Sequence, residues 1–483
     1  MSAEIISPII TRFFNLSIKT KLVMSDWKRS RVSPVYKGKG SFDDESNYRP
    51  ISVIGHLIKI LEKEICKQVM AYLKVHKLIT IDQSAFLEYH NTQTALHRVV
   101  DDWLSNMADG LLTGICSLDI MKCFDTINQS ILLQKLAFYG FNKSDTEWFK
   151  SYLSKRTQLV SCHNMLSDEE IIDIGIPQGS VLGPLLFIIY INDISQHIHL
   201  GTASLYADDT LIYCSGNSIK ELESKLQECI NDVGVWYISN KLRVNASKSN
   251  VTIAATRQRL SKYTDDDAFD IYFENDKLVH NDCFPYLGVK IDSSLSWTEH
   301  INSLCRVLNL KATMLSKLKP IIHKDTLIYL YNTLIQPKID YAISIWGNTS
   351  EYNLNRIQRI QNRMARIIVG NFDYINFRGY DFVKELGWMP ISMRRDYFIQ
   401  LLMFKCIHGL APDYLCNEIT MQIEISNRTT RHLNENNVVV PFAQLECFKK
   451  SFAYQGPVLW NLLPNNIKEC PSLSSFKTSL KYY

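Results

Sequence analysis

Asp119 and the adjacent pair Asp208–Asp209 are the residues of this 483-residue chain whose type and setting suit chemistry. Both sites lie at the ends of short apolar runs: Thr113 to Leu118 before the first, Ala203 to Tyr206 and Thr210 to Tyr213 around the second. Two neighbouring carboxylates repel unless a cation or an arginine lies between them. In isolation an Asp-Asp pair is an ordinary solvated turn, but a turn this polar between runs this apolar must face a cleft. Magnesium favours one or two carboxylates completed by substrate phosphates and water. Two such ions about 3.5–4 Å apart activate an attacking hydroxyl and stabilise the leaving oxygen in phosphoryl transfer.

The elements that must hold these carboxylates follow from periodicity. Thr113 to Asp119 reads as a buried strand ending at a carboxylate, and Ala203 to Tyr213 as two short strands meeting at the Asp208–Asp209 pair. A helix is expected after the first strand, capped by Thr126 with Gln129 and stopped by Gly140. A second, mostly apolar helix is expected over Ser180 to Ile194, with Pro184 near its first turn. Ser218 with Glu221 predicts a third helix, amphipathic through Ile219, Leu222, Leu226, Ile230, Val233 and Trp236. Texture breaks near 261–267 and 422–437.

The net charge of only +4 excludes a wholly basic binder but hides two basic stretches. Between Lys19 and Lys39 seven basic residues face Asp26 alone, and between Arg306 and Arg366 ten face Asp325, Asp340 and Glu351. Basic lobes around an acidic middle suit a polyanion gripped from two sides while carboxylates work between. Within the second stretch, Arg356, Arg359, Arg363 and Arg366 form a helical stripe beside Ile357, Ile360, Met364 and Ile367. Such a stripe either follows a nucleic-acid backbone or is a solvated helix face. His197 and His199 have no second pair and read as surface. The twelve cysteines show no CxxC spacing, the longest apolar run is too short to span a bilayer, and no leader opens the chain. An intracellular globular protein of about three domain-sized units, without a membrane partner, is expected.

Tyr206-Ala207-Asp208-Asp209 resembles the hallmark tetrapeptide of reverse transcriptases. Asn47-Tyr48-Arg49-Pro50-Ile51-Ser52, Ser117-Leu118-Asp119 with Phe124-Asp125, the run Gly175 to Pro184, Asn245 with Lys248, and Tyr286-Leu287-Gly288 match its neighbours in order. The set resembles the polymerase of non-LTR (LINE-type, jockey-like or CR1-like) retrotransposons. Phe452-Ala453-Tyr454 and Leu459 to Pro464 resemble the region that follows it. The resemblance implies an α+β right-hand fold of fingers, palm and thumb with a mostly helical C-terminal extension. The expected divisions are 15–295 for fingers and palm, 296–420 for a helical thumb-like region, and 421–483 for the extension.

It also implies roles. Asp119, Asp208 and Asp209 match the catalytic carboxylates, and the Ile120 carbonyl joins Asp119 and Asp208 around two Mg²⁺ ions. Phe124 matches the bulky residue under the incoming sugar, where a ring excludes a 2′-hydroxyl. Gln178 and Gly179 match the turn against nucleotide and template, and Arg49 a triphosphate contact. Lys248 matches the general acid for the departing pyrophosphate. Tyr286, Leu287 and Gly288 resemble the hairpin holding the primer end, with the four arginines along the template–primer backbone. The implied partners are an RNA template, a DNA primer and deoxynucleoside triphosphates.

The rival expectation is a folded but non-catalytic nucleic-acid-binding remnant of such an element. An RNA-templated RNA polymerase is disfavoured by Phe124. Two departures stand out: Ala85-Phe86-Leu87 replaces a Gly-Phe-Arg segment, and Cys123 stands where alanine is common. No endonuclease or cysteine–histidine knuckle sequence accompanies the polymerase motifs, which implies a truncated copy or an endonuclease encoded elsewhere.

Overall fold

A computed structural model of the chain describes residues 2–162, 165–263, 269–425 and 436–483. Five strands form the central sheet, in the order Val279–His280, Asn250–Ala254, Leu112–Asp119, Asp209–Gly216 and Thr202–Tyr206. Leu112–Asp119 lies in the middle, antiparallel to both neighbours, and only the short outer strand runs parallel to its partner. Alternate side chains serve two cores. Cys116, Leu118, Ile212 and Cys214 face one core, which also contains the helices Leu182–Ile191 and Ile219–Ser239. Ile115, Leu211 and Tyr213 face the other, with the helix Thr92–Ala108 and helices drawn from residues 298–369. Coverage on both faces explains why the first strand reads as a continuous apolar run rather than an alternating one.

A second sheet pairs Arg29–Tyr36 antiparallel with Tyr48–Val53 and parallel with Arg156–Cys162. Of the seven basic residues of the first basic stretch it carries Arg29 and Arg31. A third core, built from residues 399–480, holds the helices Ile391–Ile407, Phe452–Asn461 and Leu473–Tyr482. The second core runs from Ala95 to Ile391 and the third from Ile399 to Leu480. The expected breaks at 261–267 and 422–437 fall largely on residues outside those described.

Local expectations are corrected in three places. The helix after the first strand spans Gln129–Phe138 and is capped by Asn128, whose side chain accepts from the Ile131 N–H at 3.1 Å. Thr126 cannot cap it because its hydroxyl bonds back to the Lys122 and Cys123 carbonyls. The apolar helix is Leu182–Ile191, shorter than Ser180 to Ile194, because Ser180 is occupied as a cap for Gly183 N–H at 2.9 Å. Ser218 does cap Ile219–Ser239, but Glu221 accepts from Asn217 N–H rather than closing a reciprocal box.

Candidate active site

The central sheet brings the three carboxylates together. Asp119 ends its strand directly opposite Asp209, which begins the neighbouring strand. Tyr206 and Asp209 close a hairpin whose two turn residues are Ala207, at φ 54°, and Asp208. Positive φ at the first turn position suits the twist of a tight hairpin. Gln83, buried, accepts the Ala207 N–H at 3.3 Å, and Ser84 and Leu205 are joined by a backbone bond across the outer edge. The departure at Ala85-Phe86-Leu87 therefore sits beside the carboxylate turn. Phe86, at φ 57° and exposed, occupies the place of the family's aromatic residue.

Burial raises the Asp119 carboxyl above the ordinary range, Lys248 opposes the rise, and Asp208 adds to it. Asp209 is pushed up to about 6 by the desolvating cleft walls and then by Asp208 and Asp119. Lys248 and Lys37 act on Asp119, whereas no cation is among the groups that act on Asp209. Among the described residues no group of three or more His, Cys, Asp or Glu is placed so as to hold a metal ion. Ile120 bridges Val244, but the ladder uses the Asp119 carbonyl and the Met121 N–H, so the Ile120 carbonyl points out of it.

Lys248 is tied to the same strand end. Asn245 N–H donates to the Asp119 carbonyl at 2.8 Å, and Asp119 N–H donates to the Ser249 hydroxyl at 3.2 Å. Lys248 lies in the turn between these anchors, exposed, and its charge acts on Asp119. Lys37, just after the strand Arg29–Tyr36, also acts on Asp119, while its Nζ donates to the Ser46 carbonyl at 2.7 Å. By sequence alone Lys37 is one member of a basic patch. A lysine just before a glycine-flanked turn was the available signal.

The turn Pro177–Gly179 rests on the second sheet. Ser52 N–H donates to the Gln178 carbonyl at 2.7 Å. Gly179 takes φ 124°, and a Cβ there would meet the Ser52 carbonyl at 2.5 Å, so no other residue fits this approach. Among the described residues the buried Gln178 Oε1 has no hydrogen-bond partner. Behind it, buried Glu62 receives Val181 N–H at 2.7 Å and the Tyr152 hydroxyl at 2.6 Å, fixing the start of Leu182–Ile191. Sequence reasoning missed Glu62. Its signal was an acid on the apolar stripe of His56–Val75, between Leu61 and Val69.

Phe124 is half-buried and stacks on Phe187, with ring centroids 5.0 Å apart, while its carbonyl accepts the Ile176 N–H at 2.9 Å. Arg49 is exposed opposite Val35 and makes no ion pair among the described residues. The Tyr286-Leu287-Gly288 turn joins Cys283–Tyr286 to Val289–Asp292 with φ 42° at Leu287 and 81° at Gly288. Tyr286 and Leu287 are buried, and Tyr286 shares a 3.2 Å hydrogen bond with Ser204 beside the carboxylate hairpin. What this hairpin offers to solvent is backbone rather than those two side chains.

The arginine stripe is divided. Arg366 is buried, donates to the Asp373 and Phe377 carbonyls, and stacks on Tyr374 and Phe382. Arg356 bonds Asn353 and Asn302, whereas Arg359 and Arg363 stand exposed. Helical spacing alone did not reveal that the last residue of the stripe turns inward to hold the loop after Gly370. His197 and His199 are exposed, as expected.

The structure thus brings Asp119, Asp208 and Asp209 together at one end of the central sheet, with Lys248 in a turn tied to the Asp119 strand end. Residues 37–291 match the family model described as reverse transcriptase (RNA-dependent DNA polymerase), and the chain belongs to that family. It is 29% identical over 403 residues to the RNA-directed DNA polymerase from mobile element jockey of Drosophila melanogaster, covering 80% of this chain and 43% of the relative. The Drosophila funebris jockey polymerase is 30% identical, over 71% of this chain and 37% of the relative. The probable polymerase from transposon X-element of Drosophila melanogaster is 27% identical, over 75% and 40%. The chain thus spans about two fifths of the length of these relatives. An apo telomerase from Candida tropicalis covers 86% of the chain at 12% identity with a TM-score of 0.41. No helix among the described residues is long and apolar enough to cross a membrane.

Proposed function

We propose that this chain is the polymerase of a non-LTR retrotransposon, extending a DNA primer on an RNA template. The observation that carries the reading is the pairing of Asp119 with Asp209 at two strand ends, with Asp208 in the adjoining turn and Lys248 in a turn tied to the Asp119 strand end. The central sheet is the palm, the ribbon of Arg29–Tyr36 and Tyr48–Val53 belongs to the fingers, and the helices after Thr298 form the thumb-like part. Magnesium, held by Asp119, Asp208 and the Ile120 carbonyl, would supply the charge that activates a 3′-hydroxyl and steadies a leaving pyrophosphate.

The protein's own groups do the rest. Lys37 and Arg49 bind triphosphate oxygens from the fingers ribbon. The Phe124 ring, backed by Phe187, fills the space a ribose 2′-hydroxyl needs. The orphaned Gln178 Oε1 accepts a hydrogen bond from nucleotide or template. Lys248 holds a proton near the departing phosphate. Deoxynucleotides, an RNA template and a DNA primer are the partners this arrangement fits.

Primer extension on poly(rA) with oligo(dT), deoxythymidine triphosphate and Mg²⁺ tests the reading. Product that disappears in Asp208→Asn supports it. A folded wild-type chain that binds the hybrid but never extends it is the non-catalytic remnant instead.

A further inference from the structure

A cavity of about 370 Å³ lies apart from the carboxylates, at the start of Thr92–Ala108 where it meets Ile391–Ile407 and Leu473–Tyr482. Its walls include Asn91, Gln93, Thr94, Arg394, Lys405 and Lys477, and none of the described residues lining it is acidic. Arg394 is matched by an ion pair with Asp340, which leaves two cations. Lys405 is half-buried, and its ammonium, like that of exposed Lys477, makes no hydrogen bond or ion pair among the described residues. The neighbouring charge of Lys477 adds to burial in lowering the Lys405 ammonium below its ordinary value. Two unmatched lysines in one cavity repel each other unless an anion joins them.

The position of the cavity says which anion. Asn91 caps Thr92–Ala108 through the Gln93 and Thr94 N–H groups at 2.9 and 3.0 Å. The intervening Thr92 hydroxyl shares a 3.1 Å bond with the Tyr341 hydroxyl, which donates to the Leu287 carbonyl at 2.6 Å. One bridge of two hydroxyls therefore joins Thr92, between the cavity-lining Asn91 and Gln93, to the Tyr286-Leu287-Gly288 turn. The aromatic ring of Tyr341 also packs against Gly288, where an added Cβ would stand 3.0 Å away.

We infer that this cavity is an anchoring site for a backbone phosphate of the template–primer, held by Lys405 and Lys477 a short way upstream of the primer end. The C-terminal helix Leu473–Tyr482 then contributes directly to nucleic-acid binding, beyond capping the third core. The inference rests on the polymerase reading for the identity of the anion, but binding tests it separately from catalysis. Guanidinium is not required, because a phosphate oxygen needs only charge and a donor at this depth.

The test is binding of a labelled RNA–DNA hybrid, without nucleotide or metal, over a series of salt concentrations. Lys477→Gln should make the log–log salt slope shallower by roughly 0.7–0.9, and Lys405→Gln/Lys477→Gln by about twice that. Lys477→Arg should keep the wild-type slope. Lys481→Gln, on the same helix but outside the cavity, should also leave it unchanged. Because Lys477 is exposed, its single variants report even if the change at Lys405 unsettles the fold. Equal slopes for wild type and Lys477→Gln would overturn the inference. So would an equal loss in Lys481→Gln, which would mean mere net charge. A third overturning result is protection of wild type but not Lys477→Gln by inorganic pyrophosphate against thermal unfolding, with hybrid slopes unchanged. The cavity would then take a free polyphosphate. A chain that shows the slope change yet never extends a primer would sink the polymerase reading and leave the anchoring site standing.

Discussion

The carboxylate end of the central sheet and the arginine helix Glu351–Val369 both concentrate charge on regular elements, yet they treat it in opposite ways. At the sheet end, Asp119 and Asp209 are held protonated more readily than usual by burial and mutual repulsion, and the Gln178 acceptor has no partner among the described residues. On the helix, Arg366 has two carbonyls and two rings, and Arg356 has two asparagines. Polar groups left unsatisfied in a folded chain cost free energy unless something else completes them. The contrast separates charge kept for a ligand from charge used to build the protein, more sharply than residue type or spacing does.

The strongest way to break that contrast is Asp208→Asn. Removing one carboxylate charge should lower extension at least about a hundredfold, the loss of roughly 3 kcal/mol of transition-state stabilisation. Hybrid affinity should stay near wild type, because the groups that grip the backbone are elsewhere. Steady-state extension together with filter binding measures both. A variant that keeps more than about a hundredth of wild-type rate would place the reacting groups away from the carboxylates.

The second effect concerns Phe124, which sits between the two classes: half-exposed toward the cleft, but stacked on Phe187. Phe124→Val should raise ribonucleotide incorporation relative to deoxynucleotide, since only the ring occupies the hydroxyl's space. Competition between the two triphosphates reads the ratio directly. An unchanged ratio in a folded variant would make the ring core packing and nothing more.

These residues also show how far the sequence could be read. The strands that end at Asp119 and flank the Asp208–Asp209 pair were legible because burial on both faces produces mostly apolar runs beside the carboxylates. The ordered motifs added the residues between them. Glu62 was not legible, because its partners Tyr152 and Val181 lie about a hundred residues away in the chain, and a buried acid is distinguished only by what it touches. The inward turn of Arg366 was hidden for the same reason: its acceptors come from a loop beyond the helix end, whose path the helical period does not predict. The sharing of one core by the Thr92–Ala108 helix and the later helical region was hidden likewise, because it joins segments distant in the chain.

Splitting the arginines sharpens the contrast within one helix. Arg366→Gln should destabilise the fold by about 1–3 kcal/mol, because buried carbonyls lose charged donors, while leaving the salt slope of hybrid binding alone. Arg359→Gln/Arg363→Gln should do the reverse, with stability within about 0.5 kcal/mol of wild type. Its salt slope should be shallower by roughly 0.9 for each phosphate that the pair no longer neutralises, if the hybrid behaves like B-form DNA. Urea unfolding and salt-dependent binding separate them. An unchanged slope in the Arg359/Arg363 variant would make the whole helix structural.

The last expected effect lies where the two classes meet, at Asp101. This buried carboxylate accepts the Phe452 and Ala453 N–H groups, both at 3.0 Å, and so ties the C-terminal helix Phe452–Asn461 to Thr92–Ala108. Burial pushes its carboxyl up to about 8, against the pull of those N–H groups, and the neighbouring Glu418 is pushed up to about 7. The folded chain therefore keeps a proton on Asp101 that the unfolded chain releases near 3.8. Stability from this group is complete below the unfolded value and declines as pH rises through the interval up to about 8. Asp101→Asn keeps an acceptor for one N–H but cannot titrate, so its unfolding midpoint in urea should fall less steeply with pH over that interval. The slope should not vanish, because Glu418 and Asp102 titrate in the same direction. If wild type and Asp101→Asn lose stability in parallel, the carboxylate is charged in the fold and acts as a helix cap held by its N–H donors.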